Sequence, residues 1–230
     1  MIDFHTHPLL VQEIVSDDKE MVRITQDIFF IRNRLQPLET FLLEMDVSGV
    51  DRAVIAPIDA SAAKGVKIFG NEQIAQLCAM SSRFIGFASV DPHNPKAAEQ
   101  LERDARRLGL RGLKLSPSMQ EFAANDRKLA YPVYEAAAAL GIPVLMHCGM
   151  TWAPRCKSTN PIVLEDVAFD FPKLKLVIAH FGWPWVHETA MLLLKYENLF
   201  ADTSCLYFDA PWEFMRYVFT ERLPLTLLER

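Results

Sequence analysis

Short apolar runs rich in β-branched residues alternate along this chain with longer stretches of helical period. The runs predict strands at 1–4, 52–56, 84–90, 109–113, 143–146, 175–179 and 198–201. Helical spacing falls between them. The segment 37–48 repeats apolar side chains at Leu38, Phe41, Leu42 and Met45, and 71–82 and 95–108 each precede a strand. The alanine-rich stretch 127–140 stops at Gly141, a helix-ending signal. Further helices are expected at 160–171, 184–196 and 211–219.

Strand and helix in strict alternation point to parallel βαβ units. An open doubly wound sheet and a (β/α)8 barrel both satisfy that pattern. A glycine-rich phosphate loop after the first strand would favour the open sheet. Here the first strand runs instead into His5-Thr6-His7-Pro8, which favours a TIM-barrel-like fold. Neither repeats nor a linker interrupt residues 1–230, so one barrel domain is expected. The segment 9–34 is long for a βα connection and is expected to cover the site as a loop with a short helix.

Composition narrows the function. Half of the 230 residues are hydrophobic and 23% are charged, enough for a sizeable core. A net charge of -5 and a pI near 5.7 give no basic footprint for nucleic acid. No apolar run reaches the ~18 residues of a membrane span. Cys78, Cys148, Cys156 and Cys205 show no CxxC spacing and read as reduced thiols of a cytoplasmic protein.

Barrel chemistry gathers where strands end. The predicted strand ends carry His5 and His7, Asp59, Asp91, Lys114 and Ser116, His147, His180 and Asp202. Four of six histidines are thus concentrated at such positions. Alternate strand residues share a face, so His5 and His7 point together while Thr6 points away. Two imidazoles suit zinc, iron or nickel, and His147 can add a third ligand, leaving open positions for water and substrate. A bound cation would acidify water and polarise a carbonyl. His180 reads as an acid/base residue, or as the cap of the turn Phe181-Gly182. Lys114 ends an apolar run and reads as a site residue or a surface lysine. Asp202 could act chemically or only bond to nearby backbone. His93 sits in a turn-rich stretch and His187 within a helical pattern, so neither is assigned chemistry. Cys148, adjacent to His147 on a strand, faces the other way and is expected to pack.

In order, His5-Thr6-His7, Gly112-Leu113-Lys114-Leu115, Met146-His147-Cys148-Gly149, Ala179-His180-Phe181-Gly182 and Asp202-Thr203-Ser204 resemble motifs of the amidohydrolase-related metal-dependent hydrolases. That branch includes the aminocarboxymuconate-semialdehyde and γ-resorcylate decarboxylases. The stretches 84–92 and 171–175 are also similar to it. The resemblance implies a distorted (β/α)8 barrel with one divalent ion, zinc or similar. It implies His5, His7 and His147 as ligands and His180 as the residue that orients or activates the metal's water. Two departures stand out. Relatives end strand eight with an aspartate, whereas this chain stops at Leu227-Leu228-Glu229-Arg230, where that strand should begin. The expected barrel is therefore truncated after strand seven, with Asp202 not promoted into the missing role. Many relatives also carry histidine where Ser116 stands. Open edges on the first and seventh strands call for cover, which dimerisation (a homodimer) or strand exchange could supply.

Three functions follow. The first is hydrolysis of a small ester, lactone or amide through a metal-activated water. The second is metal-dependent decarboxylation of a small aromatic or enoic acid. Arg155, Arg32 or Arg34 would then hold the carboxylate, and Trp152, Trp183 and Phe181 would line the pocket. The third is a metal-binding or assembly protein without catalysis. The partner in the first two is a small molecule, with neither nucleic acid nor membrane.

Overall fold

The computed structural model describes residues 1–15, 19–27, 33–151, 153 and 155–205. The chain forms two compact units, residues 1–114 and 115–230, and the boundary falls inside one strand.

Along the first unit come β1 (Ile2–Thr6), α1 (Gln12–Val15), α2 (Lys19–Asp27), α3 (Leu38–Val47) and β2 (Arg52–Ile55). A small excursion follows, with β3 (Ile58–Ala60), α4 (Ser61–Lys64) and β4 (Val66–Ile68). Then come α5 (Asn71–Met80), β5 (Phe84–Gly86) and α6 (Ala97–Leu108), and β6 (Leu113–Leu115) carries the chain across the boundary. The second unit continues with α7 (Tyr131–Leu140), β7 (Val144–Met146), α8 (Leu164–Asp170), β8 (Leu176–Ile178), α9 (Val186–Lys195) and β9 (Leu199–Ala201).

In the first unit β1, β2 and β5 pair in that order, all parallel. The β1–β2 register slips between Asp3 and Thr6, beside His5. An isolated parallel bridge, Ala88 to Leu113, carries the pairing beyond the end of β5. In the second the order is β6-β7-β8-β9, with Val144 opposite Leu176 and Leu176 opposite Leu199. These strands are apolar triplets because helices cover parallel sheets on their faces. Leu-Val-Ile in β8 and Val-Leu-Met in β7 are buried throughout. Among the described strands of this sheet, the triplet Leu-Lys-Leu carries a charged member, Lys114, at its centre.

All seven expected strands are present, and α7 closes on Gly141 at φ 68°. The fourth differs in register from the expectation. Residues 109–113 were read as its extent, yet Gly109 ends α6 in a left-handed turn and the strand begins only at Leu113. Lys114 accordingly lies within the strand, not after it. The antiparallel β3–β4 pair was not foreseen, because three-residue strands flanking a short helix carry no measurable period. The segment 160–171 opens with two turns of 3₁₀ helix before α8. In the segment 9–34, α1 and α2 supply the helical part. The expected helix at 211–219, the end of the chain, Arg32 and Trp152 lie outside the described residues. Among the described residues no helix is long and apolar enough to cross a membrane.

Candidate metal and catalytic centre

Two clusters of histidines form, one in each unit. In the first, β1 holds His5 as a buried residue, and His7 follows the strand end on the same side. Main chain then fixes the imidazole of His7. Ala56 N donates to Thr6 O at 3.0 Å, extending the β1–β2 ladder. The neighbouring carbonyl, Ala56 O, lies 2.7 Å from His7 Nδ1. A carbonyl only accepts, so Nδ1 carries the proton and Nε2 keeps its lone pair. Lys114 Nζ lies 2.7 Å from His5 Nε2. These two nitrogens, His5 Nε2 and His7 Nε2, are 3.2 Å apart. Two imidazole nitrogens this close together are a donor set that suits a divalent transition metal.

Lys114 is fully buried. Its main chain is held from both sides. Lys114 N donates to Ala88 O at 2.7 Å, and Ser89 Oγ donates to Lys114 O at 2.8 Å. Ser89 is itself held, accepting from Asp59 N at 3.0 Å and donating its N–H to Asn71 Oδ1 at 2.9 Å. Asn71 Nδ2 in turn donates to Asp104 Oδ2 at 2.9 Å. All of these polar residues are buried, and the linked bonds compensate their desolvation. Asp91 braces the β3–β4 excursion, its Oδ2 accepting the backbone N–H groups of Ala62 and Ala63 at 2.9 Å each.

In the second unit, His147 follows β7 and its N–H donates to Leu115 O at 2.9 Å. Its Nδ1 stands 3.3 Å from His180 Nε2, with the rings edge-on at 4.9 Å between centroids. His180, just past β8, takes a left-handed backbone with φ 57°, and Phe181 follows at φ 45°. Such a conformation costs energy in a residue with a Cβ and persists only when its surroundings enforce it. Asp202 supplies that enforcement. Its Oδ1 accepts from His180 N at 2.9 Å, and its main-chain oxygen accepts from Phe181 N at 2.7 Å. The same Oδ1 accepts from Ser204 N at 3.0 Å and Ser204 Oγ at 2.6 Å. Ser204 O then lies 2.9 Å from His180 Nδ1, which puts the proton on Nδ1 and the lone pair on Nε2.

Of the sequence-derived candidates, His5, His7 and Lys114 come together in the first unit, and His147, His180 and Asp202 in the second. Arg155 is exposed, and so is Arg34. His93 is exposed in a turn and His187 is exposed on α9. Cys148 is buried, as the strand alternation implied. Ser204, Ser89 and the Ala56 carbonyl were not foreseen. Asp202-Thr203-Ser204 did carry a signal for Ser204: an aspartate two residues before a serine at a strand end is a turn-forming pair.

Parallel βα units with imidazoles at the strand ends define a barrel enzyme of the metal-dependent hydrolase class. The chain belongs to the amidohydrolase family, whose sequence profile matches residues 2–221. Members of that class are metal-dependent hydrolases and carboxy-lyases. The structure is similar to that of an uncharacterized TIM-barrel protein of Bordetella bronchiseptica, with TM-score 0.71, 25% identity, and 94% of this chain and 80% of that one covered. It is also similar to 4-oxalomesaconate hydratase of Rhodopseudomonas palustris, with TM-score 0.64, 23% identity and coverage of 95% and 78%. A third similar structure is a mutant 5-carboxyvanillate decarboxylase of Novosphingobium aromaticivorans, with bound manganese and a hydroxy-methoxy-nitrobenzoic acid. Its TM-score is 0.61 at 18% identity, with coverage of 94% and 83%. These likenesses establish the (β/α)-barrel fold.

Proposed function

We propose that this chain, as one barrel domain, is a metal-dependent hydrolase of a small ester, lactone or amide, with His5, His7 and His147 holding one divalent cation. The observation that carries this reading is the tautomer of His7. Ala56 O takes the Nδ1 proton and leaves Nε2 as a donor facing His5 Nε2 at 3.2 Å. Metal-ligating histidines are commonly oriented in this way by a carbonyl on the other ring nitrogen. The cation would supply Lewis-acid polarisation of the substrate carbonyl and acidify water. His180, with its Nδ1 proton on Ser204 O, presents Nε2 as the base that accepts a proton from the nucleophile and returns it to the leaving group. Asp202 holds His180 in place through its backbone N–H. Lys114, Arg155, Trp152 and Asp202 belong to the substrate side or the surroundings of the ion. Zinc as the ion, a cytoplasmic location and a homodimer complete the proposal.

Decarboxylation of a small carboxylic acid is the second reading, favoured by the buried cation Lys114. Release of carbon dioxide against incorporation of solvent oxygen separates the two. The test of the site is metal analysis of the purified chain and of its His5→Ala/His7→Ala variant. The expected result is one equivalent of metal in the parent and none in the double variant. Metal retained in full by that variant removes the ligand assignment. A fully loaded parent with no turnover on any carbonyl substrate removes the catalytic one.

A further inference from the structure

We propose that Thr159 is a positioning residue that sets where His147 stands against the cation and against His180; this rests on the metal site just proposed and deepens it. Lys157–Thr159 form one turn of 3₁₀ helix, and Thr159 is buried. Its N–H donates to Cys156 O at 3.0 Å and closes that turn. Its other polar groups reach Gly149, two residues past His147. Gly149 N donates to Thr159 O at 2.8 Å, and Thr159 Oγ1 donates to Gly149 O at 2.6 Å. The same hydroxyl proton is shared with Cys156 O at 2.7 Å, the kind of local bond a threonine makes in many turns. That local bond only repeats what the Thr159 N–H already does. The bond to Gly149 O ties the turn to the end of β7.

That tie bears on both imidazoles of the second unit. On its strand side His147 is anchored by its N–H on Leu115 O at 2.9 Å. On its far side the chain leaves through Cys148 and Gly149, and Thr159 grips Gly149 by N–H and C=O together. Gly149 stands at φ 81°, where a residue without a Cβ has wide backbone freedom, so its conformation is held by its bonds and its packing. The packing is against the turn that carries His180. A Cβ on Gly149 would lie 2.4 Å from Trp183 O, and Met150 N donates to that oxygen at 2.7 Å. Trp183 N donates in turn to His180 O at 2.9 Å. A shift at Gly149 thus moves His147 directly and His180 through Trp183, and their facing nitrogens are only 3.3 Å apart. Metal-binding geometry tolerates errors of about 0.5 Å, so a hydroxyl one residue removed from both rings can decide it. Valine matches the shape of Thr159 and lacks the donor.

Cobalt(II), which suits the same imidazole donors and reports their geometry through its visible bands, reads the position directly. Parent, Thr159→Val and Thr159→Ser are compared by cobalt spectrum, by zinc affinity in competition with a chelator, and by Tm without metal. Thr159→Val should weaken zinc binding tenfold or more and shift the cobalt bands. Thr159→Ser keeps the hydroxyl and should restore both. Asn198→Ala is the control for lost stability alone. Asn198 precedes β9, at the opposite strand ends from the imidazoles, and its Nδ2 donates to Ala168 O, Phe171 O and Leu174 O at 3.2, 3.0 and 3.2 Å. That variant should lower Tm and leave the cobalt bands and zinc affinity at the parent values. If Thr159→Val does not fold, Thr159→Ala is read in the same measurements. A folded variant without the hydroxyl that keeps the parent's bands and zinc affinity overturns the inference and leaves the metal site standing. A Thr159→Ser variant as impaired as Thr159→Val does the same. A parent that takes up neither cobalt nor zinc overturns the metal site itself, and this inference with it.

Discussion

Gly149→Ala is the sharpest test of how the His180 turn is held. Gly149 follows β7 at φ 81°, a backbone state in which an L-residue loses about 1–2 kcal/mol. A Cβ there would also lie 2.4 Å from Trp183 O, 2.9 Å from Gly182 C and 3.0 Å from Trp183 N. All three are main-chain atoms, which cannot swing aside as a side-chain tip can. Overpacking of this kind costs a further ~1–3 kcal/mol. Trp183 O also accepts from Met150 N at 2.7 Å, and Trp183 N donates to His180 O at 2.9 Å, so any relief displaces the turn that carries His180. The expected destabilisation is about 2–5 kcal/mol. Gly141→Ala is the control: φ is 68° and nothing lies within 4 Å of its Cβ, so only the backbone cost of about 1–2 kcal/mol applies. In a chain of this size 1 kcal/mol moves Tm by roughly 2–4 °C. Thermal unfolding of the two variants should therefore differ by roughly 2–12 °C, with Gly149→Ala the lower. Zinc affinity should fall in Gly149→Ala and stay at the parent value in Gly141→Ala. Equal Tm values and equal zinc affinities would refute the packing argument.

Asp202→Ala strips the acceptor from His180 N, Ser204 N and Ser204 Oγ, and should cost about 2–4 kcal/mol in urea unfolding. Asp202→Asn keeps an acceptor oxygen and should cost less than half of that; equal losses would mean the carboxylate is not bonded in this way. Asn71→Leu leaves Ser89 N without its acceptor and takes one donor from Asp104, whose Oδ1 still accepts from Arg103 Nε at 3.0 Å, and should cost about 1–3 kcal/mol, while Lys195→Ala, whose pair with Glu165 is exposed, should leave the urea midpoint near the parent value. Burial pushes the Cys78 thiol up from 9.0 to about 11, with the Gly86 backbone hydrogen bond opposing it. The unfolded chain then loses this proton first, so the Cys78 contribution to stability is present below pH 9 and is lost as pH rises from about 9 to about 11. A Cys78→Ala variant should show a shallower alkaline decline in urea midpoint than the parent across that window. At pH 8 a thiol reagent should modify exposed Cys156 at least tenfold faster than Cys78 or buried Cys148, read by mass spectrometry of peptides.

The alternation of apolar triplets and helical stretches made the strands legible, because a parallel strand buried on both faces has to be written as consecutive apolar residues. Gly141 and the His5/His7 spacing were equally readable, each following from local backbone geometry. Register was not. The fourth strand was placed four residues early because Gly109-Leu110 looks like a strand start, and only the tertiary ladder of Lys114 N to Ala88 O shows otherwise. The same shift hid the burial of Lys114, which reads from sequence as a residue just beyond a strand. Asp202 was read with two roles open, and its bonds to the His180 N–H and to Ser204 fill the backbone one. The tautomers of His7 and His180 were invisible to sequence, since the groups that set them are carbonyls common to every residue.

That last point bears on how freely the chain can vary. The proton on His7 is assigned by the oxygen of residue 56 and that on His180 by the oxygen of residue 204, and no exchange of side chain removes a peptide oxygen. A saturation library at position 56 should therefore report on volume and little else, with the imidazole beside it still presenting the same nitrogen. The orientation of both rings is thus insulated from genetic drift at the positions that supply it, and is exposed only to changes that move the strands themselves.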